Sequence, residues 1–182
     1  MNLYRPGVLS ALGSGMEATV ERLLDPAPSS LTLSDQWVAG RTLPLGQVTV
    51  PLRPFDATLP DEHRSRNNQL LWHAMAQVEP ALFAACRCFG PDRIGVVLGT
   101  STSGVDENLP AFRHIADGGQ WQDSAFSQAH QLLCSPVDFI QAQYGLSGIG
   151  YAISTACTSG ARALASAARL LKLGLCDAVL CG

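Results

Sequence analysis

The 182-residue sequence has little charge, few cysteines and no long hydrophobic run. Charged residues make up 15% of the chain and the net charge is −3, which gives no electrostatic basis for binding nucleic acid. No run approaches the roughly 18 apolar residues of a membrane-spanning helix, so we expect no membrane insertion. Six cysteines without a signal peptide predict reduced thiols and a cytoplasmic location rather than a disulfide scaffold.

The chain has enough apolar material for a core, since 47% of its residues are hydrophobic, and its length suits about one domain. Apolar spacings of three and four predict helices, and in the last helix they place Ala161, Leu164, Ala165, Ala168 and Leu171 on one side. Glu79-Pro80 is expected to kink or divide the second helix. The predicted helices cover residues 16–24, 66–86, 108–116, 136–144 and 157–173.

Short apolar runs between turn residues predict buried strands over residues 94–98, 150–154 and 177–181. Residues 1–15 are predicted as a short strand and a loop. Residues 29–55 are predicted as loops with a short extended piece at residues 48–50, because glycine and proline interrupt them. Strands that alternate with helices predict an α/β fold with a mainly parallel sheet.

The last predicted strand ends at the last residue of the sequence and has the apolar character of a central strand. A central strand needs neighbours and covering helices. We therefore expect the chain to be part of a larger protein, or to need a segment from elsewhere. The alternative is a small domain that ends on a strand.

Cys157 lies among small residues between a predicted strand and a predicted helix. This order is similar to the nucleophile elbow, in which a sharp turn lifts a side chain out of the sheet. Unpaired N–H groups at a helix N-terminus favour the reactive thiolate and can stabilise an oxyanion. The alternative is that Cys157 only fills space where the helix meets the sheet.

Other groupings of reactive residues favour no site. Cys86 with Cys88, and His130 with Cys134, offer only two ligands each, too few for a metal. The turn at residues 99–104 is rich in glycine but lacks the Lys-Ser/Thr ending of a phosphate-binding loop. We therefore interpret these residues as surface or core.

Several segments resemble the β-ketoacyl-acyl carrier protein synthases, the condensing enzymes of fatty acid and polyketide synthesis, which have the thiolase fold. The strongest match is Thr155-Ala-Cys-Thr-Ser-Gly160 between its strand and helix. The resemblance implies that residues 1–182 form the N-terminal half of a thiolase-like domain, with a cap-like insertion near residues 100–145. It is weakest at residues 25–60, and the other matching segments are residues 6–13, 66–76, 95–104, 145–148 and 177–182.

The resemblance implies that Cys157 is the nucleophile that accepts an acyl chain as a thioester, and that its own N–H forms half of an oxyanion hole. It places Thr102 as a gate of the acyl pocket, Phe139 in the pocket lining of residues 131–139, and Thr158 and Ser159 on the substrate side. The implied partners are acyl carrier protein and a second ketosynthase subunit, identical or related, paired through residues 150–154. No cofactor and no metal is implied.

The chain departs from the family at the residues for decarboxylation. The family places two histidines in the second half of its fold, whereas the four histidines here all precede Cys157. We therefore expect this chain alone to be inactive in condensation. Two alternatives stay open: a non-catalytic partner like a chain length factor, and a thiolase-fold acyltransferase that uses the cysteine without decarboxylation. The turn at residues 99–104 and the short, loop-rich segment at residues 25–60 resemble synthases of specialised polyene-type pathways more than housekeeping fatty acid synthases.

Overall fold

A computed structural model describes residues 2–26 and 31–182; Met1 and residues 27–30 of the predicted terminal and loop segments lie outside the described residues. No described helix is both long and apolar enough to cross a membrane. The described strands are Leu9–Ser10 (β1), Gly13–Ser14 (β2), Thr32–Ser34 (β3), Leu43–Leu45 (β4), Ile94–Gly99 (β5), Gly150–Ile153 (β6) and Ala178–Cys181 (β7). The described α-helices are Met16–Leu24 (α1), Arg66–Met75 (α2), Glu79–Phe89 (α3), Leu109–Ala116 (α4), Gln128–Gln131 (α5), Ser135–Tyr144 (α6) and Ser159–Lys172 (α7).

Strand β5 is the centre of a three-stranded parallel sheet with the order β6-β5-β7. Val96 of β5 lies opposite Gly150 of β6 and opposite Leu180 of β7. The first five residues of β5 are buried, as expected for a parallel strand covered on both faces. The α/β fold with a parallel sheet is therefore confirmed. Strand β7 is half-buried and pairs with β5 alone among the described strands, and its place at the centre of a larger sheet stays a prediction.

The two faces of β5 belong to two different cores. Ile94, Val96 and Leu98 pack into a cluster that contains side chains of α2, α3 and α6. Val97 points to the opposite face and packs into a smaller cluster with Ala163 and other residues of α7. This alternation follows from the two-residue period of a strand. It places α6 and α7 on opposite sides of the sheet.

Aromatic rings fill the larger core. Phe139 of α6 is fully buried, and its ring meets the edges of Phe55 and Trp72 at centroid distances of 5.7 and 6.1 Å. Phe55 stacks on Trp72, and the Arg53 guanidinium lies 4.3 Å from the centroid of the Trp72 ring. The predicted pocket residue Phe139 thus has no exposed surface in this structure.

The long helix predicted at residues 66–86 is two helices. Ser65 caps the start of α2 by accepting the Asn68 N–H at 3.1 Å, and Glu79-Pro80 opens α3 because proline fits the first turn of a helix. The strands in the region predicted as loops lie at β3 and β4, which form an antiparallel hairpin, and not at residues 48–50. Gly145 ends α6 in the left-handed conformation, with φ of 62°.

The apolar side predicted for α7 is only partly buried, with Leu171 half-buried against the smaller core. The residues that face the sheet are Ser159, Ala163, Ala167 and Leu170, and Leu164 of the predicted side is 46% exposed. Three of these four side chains are small, which allows close packing, and Leu170 is the one large residue among them. Leu164 is left on the outer side of the helix.

Replacing Phe139 with alanine tests whether this residue belongs to the core. We expect Phe139→Ala to lower the free energy of unfolding by about 3–5 kcal/mol, because it opens a cavity among packed rings. Phe89→Ala is the matched control, since Phe89 is 43% exposed, and it should cost less than about 1 kcal/mol. Urea denaturation of the intact protein measures both. An equal loss for the two variants would contradict this placement.

Candidate active site

Cys157 lies on a sharp turn between the end of β6 and the start of α7. The turn is one 3-10 turn, Ala156–Thr158, and Cys157 is exposed on it. Ala156 has φ of 54° and is the only non-glycine residue with a positive φ in the described part of the chain. The left-handed region disfavours residues with a side chain, so this turn holds local strain. A strained strand-to-helix turn with an exposed nucleophile has the form of the predicted elbow.

Two hydroxyl groups stabilise the turn. The Ser159 hydroxyl accepts the Thr155 N–H at 2.9 Å and donates to the Ala156 carbonyl oxygen at 2.7 Å. The Thr158 hydroxyl donates to the Thr155 carbonyl oxygen at 2.8 Å. Both side chains are therefore engaged with the backbone of the turn that carries Cys157.

The end of β5 lies directly against the start of α7. A Cβ atom on Gly99 would be 2.5 Å from the Ser159 carbonyl carbon and 2.6 Å from the Gly160 nitrogen, both of them backbone atoms. Only glycine permits this approach. The Thr100 N–H, one residue later, donates to the Ile153 carbonyl oxygen at 3.0 Å. The glycine-rich turn after β5 is thus placed beside the cysteine.

The arrangement offers a nucleophile together with hydrogen-bond donors. The Cys157 N–H has no hydrogen-bond partner among the described residues. Helix α7 begins two residues later, and its first turn carries the partial positive charge of a helix N-terminus. An exposed thiol next to such donors can attack a thioester carbonyl, and the donors can stabilise the oxyanion that forms.

The structure brings most of the predicted site residues to one end of the sheet. Thr158 and Ser159 follow Cys157 in the elbow. Thr102 is exposed on the turn after β5, where its N–H donates to the Thr100 hydroxyl at 3.3 Å. Phe139 is not brought to this surface and lies in the aromatic core.

Cys157 is exposed at the surface. Two shallow concavities lie on the described surface, along α1 and beside Gln77, and Cys157 lines neither of them. None of the four histidines, all in the described range, hydrogen-bonds to Cys157; His73, for example, contacts Ser14 and Arg53. In the described ranges no three His, Cys, Asp or Glu side chains form a group that could hold a metal.

Two features of the elbow are not anticipated by the sequence reasoning. One is the strained Ala156, and the other is the contact of Gly99 with the start of α7. The run of hydroxyl residues before the helix is the available signal for the hydrogen bonds, because serine and threonine side chains readily bond to nearby backbone groups in turns. No sequence pattern indicates that an alanine adopts a strained, left-handed conformation.

The other cysteines differ from Cys157 in their environment. Burial raises the pKa of the Cys176 and Cys181 thiols above the usual range. The pKa of Cys134 is also raised, first by its hydrogen bond with Asp138 and then by burial. At a given pH these three thiols therefore hold less of the reactive thiolate than an unshifted cysteine.

Comparisons with known proteins agree with this geometry. The family model described as "Beta-ketoacyl synthase, N-terminal domain" matches residues 66–182. A chain in the structure of a ketosynthase in complex with its chain length factor, from Xenorhabdus doucetiae, is 32% identical with a TM-score of 0.82, and the match covers 96% of this chain and 44% of that chain.

Two further relatives are more distant. The 3-oxoacyl-(acyl-carrier-protein) synthase 2 of Rhizobium meliloti is 26% identical over 187 residues, which is 97% of this chain and 44% of the relative. A β-ketoacyl synthase from Burkholderia phymatum is 22% identical with a TM-score of 0.69, and the match covers 92% of this chain and 42% of that chain. At this identity the likeness supports the fold alone. The chain thus spans less than half the length of these relatives.

The rates at which the cysteines are alkylated test the environment of Cys157. With iodoacetamide at pH 7.5, we expect Cys157 to react at least about tenfold faster than Cys134, Cys176 and Cys181, because their raised pKa values delay thiolate formation to higher pH. Peptide mass spectrometry of the intact protein between pH 7 and 9 measures each rate.

Cys88 is the matched control for exposure. It is exposed like Cys157 but lies in the last turn of α3, where the peptide dipoles disfavour negative charge. We expect Cys157 to react faster than Cys88 as well. If Cys88 were the faster of the two, the helix terminus would not activate Cys157.

Proposed function

Because the chain belongs to the β-ketoacyl synthase family through the N-terminal domain of that family, we propose that it is the part of a condensing enzyme that carries the nucleophile. The observation that supports this most directly is the exposed Cys157 on its strained elbow at the start of α7. The proposal takes residues 1–182 as the N-terminal part of one thiolase-like domain, with the remaining length of the relatives supplied by the rest of the protein.

In the first step, Cys157 takes an acyl chain from a carrier thioester. The thiolate attacks the carbonyl carbon, and a new carbon–sulfur bond forms. The bond from that carbon to the carrier sulfur breaks, and the carrier thiolate leaves and takes up a proton. The Cys157 N–H is placed to donate to the oxyanion between these events, as half of an oxyanion hole.

In the second step, the acyl chain is extended with a malonyl unit. The malonyl thioester loses carbon dioxide, and the electron pair of the broken bond forms an enolate. The enolate carbon attacks the acyl carbonyl on Cys157, and the cysteine sulfur leaves as a thiolate. The product is a β-ketoacyl thioester, as an intermediate in fatty acid or polyketide assembly. Groups from the rest of the protein stabilise the enolate, because no described histidine hydrogen-bonds to Cys157.

The rest of the protein also closes the site. The outer side of α7 carries Leu164, which is 46% exposed, together with exposed alanines. Cys157 lines neither of the two concavities described above, whereas a bound acyl chain needs an apolar pocket. We propose that the remaining half covers α7 and forms the second wall of this pocket. Thr102, on the turn beside the elbow, is placed at its edge.

The proposed partners are an acyl carrier protein and a second ketosynthase-like subunit. One structural neighbour, 20% identical with a TM-score of 0.56 over 67% of this chain, is a type II polyketide acyl-carrier protein in complex with its ketosynthase. For the subunit contact, β6 has one edge without a paired strand among the described strands. Such edges favour pairing with another chain.

The acylation of Cys157 tests the proposed function. Incubating the intact protein with acyl-carrier thioesters should add one acyl mass to the peptide that contains Cys157. Cys157→Ala should abolish this label, and Cys88→Ala, the matched exposed control, should leave it unchanged. Adding malonyl-carrier thioester should then release carbon dioxide and yield a β-ketoacyl product, both followed by mass spectrometry.

The same experiment separates the alternatives. An unlabelled Cys157 in an otherwise active heterodimer would favour a non-catalytic partner like a chain length factor. Acyl transfer to another thiol without release of carbon dioxide would favour an acyltransferase. Either result would contradict a condensing enzyme that uses Cys157.

A proline in β6 tests the proposed subunit contact. The N–H groups of Val96 and Thr100 donate to the carbonyl oxygens of Ile149 and Ile153. The backbone groups of the odd-numbered residues of this stretch therefore point towards β5, and the N–H of Ala152 points towards the free edge. Ala152→Pro removes an outward N–H and should raise the dimer dissociation constant at least about tenfold, measured by sedimentation velocity. An unchanged dimer would place the contact elsewhere.

A further inference from the structure

The hydroxyl of Ser159 spans the strained residue of the elbow. It accepts the N–H of Thr155 and donates to the carbonyl oxygen of Ala156, at 2.9 and 2.7 Å. These two backbone groups lie on either side of the φ torsion of Ala156, which is 54°. Because one oxygen binds both groups, Ala156 cannot leave the left-handed region without breaking at least one of these hydrogen bonds.

Ser159 is itself held in place by β5. Its side chain faces inward, with only 5% of the residue exposed. A Cβ atom on Gly99 would lie 2.5 Å from the Ser159 carbonyl carbon, so the two backbones already touch. Ser159 therefore has no room to retreat towards the strand. Through the two hydrogen bonds of its hydroxyl, Ser159 connects β5 to the turn that carries Cys157.

We propose that Ser159 is a positioning residue that holds Ala156 in the left-handed conformation and thereby orients the Cys157 N–H for the oxyanion. This inference rests on the proposed function, since it needs Cys157 to be acylated. It differs from the substrate-binding role that the resemblance implies for Ser159, because the hydroxyl is already engaged with two backbone groups. Ser159 then acts through Cys157 rather than on the substrate.

Ser159→Ala should separate acylation of Cys157 from its alkylation. Acylation by a carrier thioester forms an oxyanion, so we expect its single-turnover rate to fall about 10- to 100-fold when the N–H is no longer oriented. Alkylation by iodoacetamide forms no oxyanion and should fall less than about threefold. Both rates are measured on Cys157 in the intact protein, by peptide mass spectrometry.

Ser166→Ala is the matched control. Ser166 lies on the same helix, is half-buried and shares one hydrogen bond with the Tyr151 hydroxyl, away from the elbow. Its loss removes a comparable interaction without touching Ala156. We expect Ser166→Ala to leave both rates within about twofold of the original protein.

A second substitution asks whether Ser159 acts through the strain at Ala156. Glycine adopts the left-handed conformation without the penalty of a side chain. Adding Ala156→Gly to Ser159→Ala should therefore recover the acylation rate about fivefold, whereas Ala156→Gly alone should change it little. If the two substitutions have independent effects, Ser159 does not act through Ala156 and the inference is overturned.

The possible failures have different signatures. If the original protein forms no acyl-Cys157, the proposed function itself is wrong. If it does, and Ser159→Ala acylates within about twofold of it, only the role of Ser159 is wrong. Should Ser159→Ala lower the midpoint of thermal unfolding far more than Ser166→Ala, the comparison is made in the Ala156→Gly background. There the cost of Ser159→Ala should be about fivefold smaller than in the original protein, and an undiminished cost would overturn the inference.

Discussion

The contact between the end of β5 and the first turn of α7 determines the geometry of the candidate site. Gly99 lets the two backbones touch, and a side chain at this position would push α7 away from the sheet. The same helix start carries Ser159, which binds the turn before it. The position of Cys157 therefore depends on a strand whose first five residues are buried and closely packed.

Much of this fold could be predicted from the sequence, because the local patterns agree with the tertiary structure. The apolar run of β5, the glycine that ends α6 and the small residues around Cys157 each indicate one structure. The buried side of α7 could not be predicted in the same way. This helix has apolar residues on two sides, and periodicity alone does not tell which side meets the sheet; the small side chains face it because they permit close approach. The roles of Ala156 and Gly99 depend on contacts between distant segments, so they could not be predicted from the sequence either.

The two apolar sides of α7 also bear on the incomplete appearance of the site. Ala163 and Ala167 are buried against the sheet, while Leu164 on the other side is about half exposed. The exposed Cys157 lies at the N-terminal end of this helix. The proposed second layer would meet Leu164 on this outer side of α7.

The strain at Ala156 and the hydrogen bonds of the elbow have similar magnitudes. A left-handed alanine costs about 1–2 kcal/mol, and a hydrogen bond contributes a net ~0.5–1.5 kcal/mol. The two bonds of the Ser159 hydroxyl are thus of the size needed to offset the strain at Ala156. The Thr158 hydroxyl adds a third bond, to Thr155 on the other side of the turn. The cysteine is consequently presented at the surface by a turn that its own neighbours hold in a strained conformation, so that its exposure does not require mobility.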